Sequence, residues 1–248
     1  EITDIGLTTG IRGESGQLDW DFSAQYGSNE LDYSISNTVN PSLGEGSPTS
    51  FQVGSLEQTE IALNADFVYS LPVESFSSGE LSVAFGAEYR DEEYAIGEGE
   101  LASYQVGPFN APVGSNGFPG YSPEQAISTS RSSYGLYVDL ESDVTDRLLL
   151  NAAFRFEDFD GFGSNFNGKL AGRYSLTDNL NIRASAGTGF HAPSTGQLGT
   201  INIATTVENG VAASSGTYPS SSDVAQYYGA RDLEPEDSVN YAAGFAWS

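Results

Sequence analysis

The sequence predicts an all-β fold, an antiparallel transmembrane β-barrel to which this chain contributes about nine strands. Three observations lead to this prediction. Apolar and polar residues alternate in nine separate runs, charged residues keep to one phase of the alternation, and short connections alternate with long ones. Successive side chains of a strand point to opposite faces, so each run has one apolar face and one polar face.

The runs are spread along the whole chain, and with uncertain ends they approach the length of tilted bilayer-crossing strands, about 9–11 residues. In order they cover residues 5–11, 18–26, 61–69, 81–89, 134–140, 148–156, 168–176, 180–190 and 239–247. No stretch reaches the length of about 18 apolar residues that indicates a membrane helix. The sequence therefore predicts that the chain crosses a membrane with strands.

Charge is confined to one phase of these runs. The apolar phase contains no charged residue. The opposite phase, with one flanking residue where needed, carries Asp4, Arg12, Asp19, Asp21, Asp66, Glu88, Arg90, Asp139, Glu141, Arg155, Glu157, Lys169, Arg173 and Arg183. Charges are costly in lipid and normal in an aqueous barrel interior. We therefore expect the apolar phase to face lipid and the polar phase to face the lumen.

The connections follow a parity. Short turns join the first run to the second, the third to the fourth, the fifth to the sixth and the seventh to the eighth. Long loops are predicted near residues 28–57, 91–131 and 191–236, with one short exception at 157–165. Transmembrane barrels have short inner turns and long extracellular loops, so we expect these loops to be extracellular. Aromatic residues at six run ends predict an interfacial girdle toward the long loops: Tyr26, Tyr69, Tyr89, Phe156, Phe190 and Trp247.

A soluble extracellular β-sandwich is the alternative fold, because sandwich strands alternate in the same way. Against it are the parity of the loops and runs longer than the usual globular strand of about 5–6 residues. The polar phase also contains Gly, Asn, Ser and paired opposite charges, which are unlike an ordinary solvated face.

Composition excludes several functional classes. The chain has 248 residues, with 9 basic against 34 acidic residues and a formal net charge of −25. Nucleic acid is therefore not an expected partner, because phosphate contacts need clustered Lys and Arg. Cysteine is absent, so no disulfide framework or thiolate metal site is available. Methionine is absent even at position 1, and the start lacks a signal sequence, so we expect a processed chain or part of a longer one.

Three stretches resemble a known family. Residues 134–193 read YGLYVDLESDVTDRLLLNAAFRFEDFDGFGSNFNGKLAGRYSLTDNLNIRASAGTGFHAP, and residues 233–245 read LEPEDSVNYAAGF. Both resemble the barrel of TonB-dependent outer-membrane receptors, as does LSVAFGAEYRDEEY at residues 81–94. One departure is His191, where the family more often has Arg before Ala-Pro.

The resemblance implies a larger barrel, of about 22 strands, that surrounds a plug domain. It implies TonB-dependent uptake of a scarce nutrient across the outer membrane of a Gram-negative cell, such as a siderophore or other metal chelate, a cobalamin or an oligosaccharide. Implied partners are outer-membrane lipid and lipopolysaccharide, the small-molecule nutrient, the plug and TonB. An odd number of strands does not close such a barrel, so we expect an internal segment. A small closed outer-membrane barrel with a structural or adhesive role is the alternative.

Two groups of residues are candidate sites. We predict that five charged residues face the lumen and the plug: Arg155, Glu157, Lys169, Arg173 and Arg183. They form either a basic wall that contacts the plug or guides an anionic ligand, or a ladder of cross-strand charge pairs. We predict that five loop aromatics contact the ligand: Tyr104, Phe109, Tyr121, Tyr227 and Tyr228. The alternative is that they hold the loops together.

No catalytic, metal or cofactor site is predicted. His191 is the only histidine, and no nucleophile elbow or phosphate loop is present. The acidic residues that begin the second long loop could hold divalent cations that bridge lipopolysaccharide, although a solvated charged run is the simpler interpretation. We expect a transport protein and no enzyme.

Overall fold

A computed structural model describes residues 1–208 and 211–247 of the chain. Its main element is one antiparallel sheet of nine strands, in the order β1-β2-β3-β4-β5-β6-β7-β8-β11. These strands are β1 Ile2–Ser15, β2 Leu18–Ser36, β3 Ser50–Pro72, β4 Glu80–Gly97, β5 Ile127–Thr145, β6 Leu148–Phe159, β7 Gly163–Thr177, β8 Leu180–His191 and β11 Glu236–Trp247. Each predicted run lies within one of them, and the predicted all-β fold class is confirmed.

Smaller elements lie in the connections. A 3-10 helix covers Pro41–Gly46, and three short helices cover Leu101–Tyr104 (α1), Thr195–Gly199 (α2) and Asp223–Tyr227 (α3). Strands β9 (Asn202–Glu208) and β10 (Val211–Thr217) form a separate hairpin inside the last connection. The alternation pattern did not predict this hairpin. In the described part of the chain, no helix combines the length and apolar character needed to span a bilayer.

The connections divide the sheet into two rims. At the short-turn rim the strands are joined by residues 16–17, 73–79, 146–147 and 178–179. At the opposite rim, called here the long-loop rim, they are joined by residues 37–49, 98–126, 160–162 and 192–235. These connections contain fewer residues than the predicted loops, because backbone pairing between the strands continues past the end of the apolar alternation. In β2 and β3, for example, it continues to Ser36 opposite Ser50.

The apolar face of the sheet is open. Leu7 is 63% exposed, Leu136 is 55% exposed and Leu170 is 62% exposed. Among the described residues, the buried apolar side chains are only Phe51, Val53, Ala62 and Ile96. A sandwich would bury its apolar faces against each other, so this arrangement contradicts the sandwich alternative.

The aromatic residues at the strand ends occupy both rims. Tyr69 pairs with Leu18, and Trp247 pairs with Leu180, next to the two-residue turns at 16–17 and 178–179. The expectation that both lie toward the long loops was therefore wrong. Both residues end strands that run from the long-loop rim to the short-turn rim, so aromatic residues flank the apolar face at both ends, as in membrane barrels.

Candidate functional site: the polar face and the long-loop rim

The charged residues of the middle strands form an ion-pair network on the polar face. An Nη atom of Arg155 lies 2.9 Å from a carboxylate oxygen of Glu157 and 3.4 Å from one of Glu88. Arg90 shares Glu88, at 3.2 Å, and approaches Glu60 at 3.9 Å. The network links β3, β4 and β6, so two of the predicted lumen residues, Arg155 and Glu157, are tied into a cross-strand ladder.

The other three predicted lumen residues lie in a second group, closer to the short-turn rim. Arg173 stands directly opposite Arg183, and Lys169 stands opposite Gly187. A carboxylate oxygen of Asp143 is 3.9 Å from the Arg173 guanidinium, but both side chains are more than half exposed. Water therefore weakens this pair. All three basic residues line a surface depression of about 580 Å³.

Two glycines allow long side chains to lie across their strand. Gly135 pairs with Glu88 on β4 and with Glu157 on β6, and the Arg155 side chain lies over it, so that a Cβ atom on Gly135 would be 2.8 Å from the Arg155 guanidinium. Gly86 pairs with Tyr137 in the same way, and the Tyr137 hydroxyl donates to Asp66 at 2.6 Å, on the strand beyond. Sequence reasoning missed Tyr137. The sequence feature that could have revealed Tyr137 is an aromatic residue on the polar phase with a glycine opposite it on the neighbouring strand. Only glycine leaves room there for the ring.

The apolar alternation changes phase near the long-loop rim. In β2 the apolar residues occupy even positions up to Tyr26 and then odd positions, at Leu31, Tyr33 and Ile35. In β4 the apolar residues change from odd positions, up to Tyr89, to even positions, at Tyr94 and Ile96. In β3 the change lies between Ile61 and Leu56, and a bulge opposite Tyr33 and Ser34, where Gly54 has a φ of +118°, then keeps Phe51 on the same face as Leu56. Beyond this point the apolar side chains lie on the same face as the charged network.

Two connections fold together over this apolar patch. We call residues 37–49 and 98–126 together the ledge. Asn40 is completely buried at its centre, and its Nδ2 atom donates to the carbonyls of Ala102 (3.0 Å) and Gln105 (2.9 Å). Its Oδ1 atom accepts from the Ser42 hydroxyl at 2.7 Å. Ser103 is also completely buried and donates to the carbonyl of Glu100 at 2.6 Å. The ledge therefore has a polar core with satisfied hydrogen bonds.

Aromatic stacking fixes the ledge to the sheet. The Phe118 ring stacks on Tyr33 of β2 at 5.7 Å and meets Tyr121 edge-on at 5.6 Å. The backbone N–H of Tyr121 donates to the carbonyl of Val53 at 2.9 Å. Burial, with Tyr33 and Tyr94 nearby, raises the pKa of the Tyr121 hydroxyl above its usual value. Tyr121 thus joins the loop to the sheet.

The other predicted aromatic residues are more accessible. Tyr104 is half-buried at the end of α1, and Phe109 is 57% exposed beside Gly44. Tyr227 and Tyr228 end α3 with their rings perpendicular at 5.3 Å, and they are 85% and 83% exposed. Phe109 and this tyrosine pair therefore present free ring surface for stacking on a ligand.

A second structure at this rim was not predicted. Residues 191–200, called here the strap, leave β8 and place α2 against β4 and β5. Arg131 of β5 is buried below the strap, where it donates to the Pro193 carbonyl and pairs with Glu92 at 2.6 Å. A sequence signal was available, since Arg131 lies outside the predicted runs but is one of only nine basic residues. Its partner at residue 193 is far away in sequence, so alternation cannot reveal the contact.

His191 ends β8 and pairs with Glu236, and its side chain is exposed. Within residues 1–208 and 211–247, no three His, Cys, Asp or Glu side chains are grouped so that they could hold a metal ion. The polar face and the ledge offer ion pairs, hydrogen-bonding groups and exposed aromatic rings, which are groups that can bind another molecule.

Solved structures share this fold. The siderophore receptor PirA from Acinetobacter baumannii matches all of this chain with 32% of its own length, a TM-score of 0.66 and 14% identity. The ferric enterobactin receptor PfeA from Pseudomonas aeruginosa, solved as the R480A mutant with enterobactin, matches with 33% of its length, a TM-score of 0.66 and 15% identity. The RagAB peptide importer matches with 28% of its length, a TM-score of 0.58 and 12% identity. At these identities the likeness shows the fold, and the chain spans about a third of the length of these proteins.

No curated protein matches the chain by sequence. The family model described as "TonB dependent receptor-like, beta-barrel" matches residues 2–248, which is almost the whole sequence. This match agrees with the nine-stranded antiparallel sheet and with the resemblance of residues 134–193. The chain belongs to the TonB-dependent receptor-like β-barrel family.

Proposed function

We propose that this chain forms part of the wall of an outer-membrane receptor of a Gram-negative bacterium, which takes up a scarce nutrient with energy supplied through TonB. The family match over residues 2–248 carries this proposal. The apolar face lies in lipid, the polar face lines the lumen, and the long-loop rim is extracellular. The ledge and α3 then stand at the entrance to the barrel.

The polar face suits contact with a plug domain. Ion pairs and side-chain hydrogen bonds hold Arg155, Glu157 and Tyr137 in fixed positions on the sheet. Lys169, Arg173 and Arg183 lie nearer the short-turn rim, in a depression that Asp139 and Glu141 also line and that suits charged groups of a plug. Lipid and lipopolysaccharide surround the outer face. No enzymatic step is needed for this role.

We propose that the ligand is a siderophore–iron complex that is neutral or positively charged. Three arginines on the polar face near the long-loop rim already have carboxylate partners, namely Arg90, Arg131 and Arg155. The ledge adds Glu45, Glu98, Glu100 and Glu124. This part of the wall therefore repels an anionic complex and attracts a cationic one over distances of about the Debye length, near 8 Å in physiological salt.

Uptake by whole cells tests the function. We expect deletion of the full-length gene to abolish iron-limited growth on at least one siderophore, and the intact gene to restore it only in cells with functional TonB. Accumulation of radioactive iron complexes measures the uptake. Equal uptake with and without the gene, for every complex tried, would refute the proposed function.

Competition between iron complexes tests the ligand charge. A cationic or neutral hydroxamate complex should compete at least tenfold better than a trianionic catecholate complex. If the anionic complex competes best, the charge proposal is wrong while the uptake function stands.

The exposed aromatics give a further test. We expect a Tyr227→Ala, Tyr228→Ala double variant and a Phe109→Ala variant to weaken ligand binding by about 1–3 kcal/mol if the rings stack on the ligand, by analogy with stacking on bases. Tyr218→Ala is the matched control, because Tyr218 is an exposed loop tyrosine outside the predicted contacts. Unchanged affinity in both test variants would remove these residues from the site.

A further inference from the structure

The strap takes an unexpected path. Strand β8 lies between β7 and β11 in the sheet, but α2 contacts β4 and β5. Since β5 is three strands away from β8, the chain must travel back about 14 Å, given the spacing of about 4.8 Å between strands. Only residues 192–194 separate β8 from α2, so the crossing is nearly fully extended.

The crossing passes the tight β6–β7 connection at residues 160–162. The Phe190 ring, next to the start of the strap, contacts Phe159 at the end of β6, with ring centroids 5.3 Å apart. This path explains the single exception to the loop parity. A long loop between β6 and β7 would occupy the space through which the strap reaches β5.

Helix α2 fits closely on the polar face. The register pairs Tyr94 with Thr129, on the phase that carries Glu92 and Arg131. A Cβ atom on Gly196 would lie 3.6 Å from the Tyr94 ring, and one on Gly199 would lie 2.5 Å from the Thr129 hydroxyl. The side chain of Thr195 is 4% exposed. The strap therefore has a specific seat beside the lumen.

Arg131 connects every element around this seat. Its side chain is 7% exposed, donates to the Pro193 carbonyl in the strap, and lies 2.6 Å from Glu92 on β4. Its guanidinium carbon lies 5.2 Å from the centre of the Phe159 ring and 6.0 Å from that of Phe162, in the β6–β7 connection. Arg suits this position because its planar group can stack and donate in several directions at once.

We propose that Arg131 is a positioning residue that holds the strap over the polar face, so that α2 forms a fixed wall of the ligand entrance. The first half of this proposal, the anchoring, rests on the contacts above. The second half rests on the proposed function, because it requires a ligand at this entrance. Arg131 itself acts through the strap and need not touch the ligand.

Thiol labelling tests the anchoring. The described chain has no cysteine, so Thr195→Cys introduces a buried reporter in α2 of the full-length receptor with any other cysteines removed. We expect Arg131→Ala to speed labelling by a membrane-impermeant maleimide at least tenfold, and Arg131→Lys to speed it less, since Lys keeps only the charge. Arg147→Ala, in an exposed two-residue turn at the opposite rim, is the matched control and should change nothing.

Equal labelling rates in Arg131→Ala and the parent would overturn the anchoring. Heat-dependent gel mobility should show that each variant is a folded barrel. If Arg131→Ala fails to fold, Glu92→Gln replaces it, because it removes the ion pair while keeping a side chain of the same size. We expect Glu92→Gln to speed labelling at least threefold, and an unchanged rate in that variant would equally overturn the anchoring.

Ligand binding tests the wall. With the best-transported iron complex as the probe, we expect Arg131→Ala to raise Kd at least fivefold with the number of sites per cell unchanged, and Arg131→Lys to restore part of the affinity. Faster labelling of Arg131→Ala with an unaltered Kd would refute the proposal that α2 forms a wall of the ligand entrance. If the parent binds no iron complex, the proposed function and the wall both fail, while labelling still decides the anchoring.

Discussion

The ledge and the nine-stranded sheet are built on opposite principles. The ledge buries Asn40, Ser42 and Ser103 completely and satisfies their polar groups within the chain. The sheet exposes large apolar side chains on one face and charges on the other. Among the described residues, Ala62 is the one buried apolar side chain midway between the two rims. One region therefore carries its own interior, and the other depends on its surroundings.

This difference shows which interactions stabilise each region. Backbone pairing satisfies the peptide groups inside the sheet, as any structure in lipid requires. Its apolar face gains stability only when hydrocarbon or another surface covers it. The ledge behaves like the interior of a water-soluble protein, where each buried polar atom needs a partner. Substitutions should therefore follow different rules in the two regions.

The largest effect should come from placing a charge on the apolar face. Leu7→Arg at the middle of β1 should lower the free energy of unfolding by about 2–4 kcal/mol in lipid, because the charge enters the hydrocarbon. The adjacent Thr8→Arg is the matched control, since Thr8 is exposed on the polar face. Denaturant titration of the full-length receptor in vesicles measures both values. Similar losses for the two variants would mean that the faces are not in different solvents.

An intermediate effect should follow from opening the polar core of the ledge. Asn40→Ala removes donors from the Ala102 and Gln105 carbonyls and should lower local stability by about 1–3 kcal/mol, the cost of unsatisfied buried groups. Hydrogen exchange of the Gly107 and Asn116 amides measures it, because both donate within the ledge.

Asn179→Ala in a short turn is the control for the ledge, since Asn179 is exposed at the opposite rim. Exchange in the middle of the sheet should stay the same in both variants. If Asn40→Ala accelerates exchange throughout the sheet, the two regions do not unfold separately and the comparison fails.

The smallest effect should come from the ion-pair network. Arg155 is 35% exposed, so solvent screens its contacts with Glu88 and Glu157. Arg155→Ala should lower the free energy of unfolding by less than about 1 kcal/mol, as is usual for exposed pairs. The loss should shrink further in high salt. A loss of several kcal/mol that is independent of salt would contradict this prediction, because it would mean that water does not screen these ion pairs.

Much of the sheet could be predicted because its rule is local. All nine runs, from residues 5–11 to 239–247, lie inside observed strands, because successive side chains of each strand alternate between an apolar face and a polar face. The extended strand ends could not be located in this way. At Leu31, Tyr33 and Ile35 the apolar phase reverses, because this end of the strand packs against the ledge, for example through Tyr33 and Phe118.

The candidate site was predictable only in part. The grouping of Arg155 with Glu157 follows from their spacing of two on one strand. The contact of Tyr137 with Asp66 depends on the register that places Gly86 between them. The ligand roles of Tyr104, Phe109, Tyr121, Tyr227 and Tyr228 remain predictions, although Tyr121 packs against the sheet.

The sequence alone determined the nine strands of the main sheet, their two faces and the family, because each follows from alternation or from contiguous motifs. Tertiary structure alone decided how the connections fold: the ledge around Asn40, and the strap that reaches Arg131 from 62 residues away. Side-chain alternation is set by neighbours in the chain. Loop packing depends on which distant carbonyls and rings come within a few ångströms, and no local pattern encodes that distance.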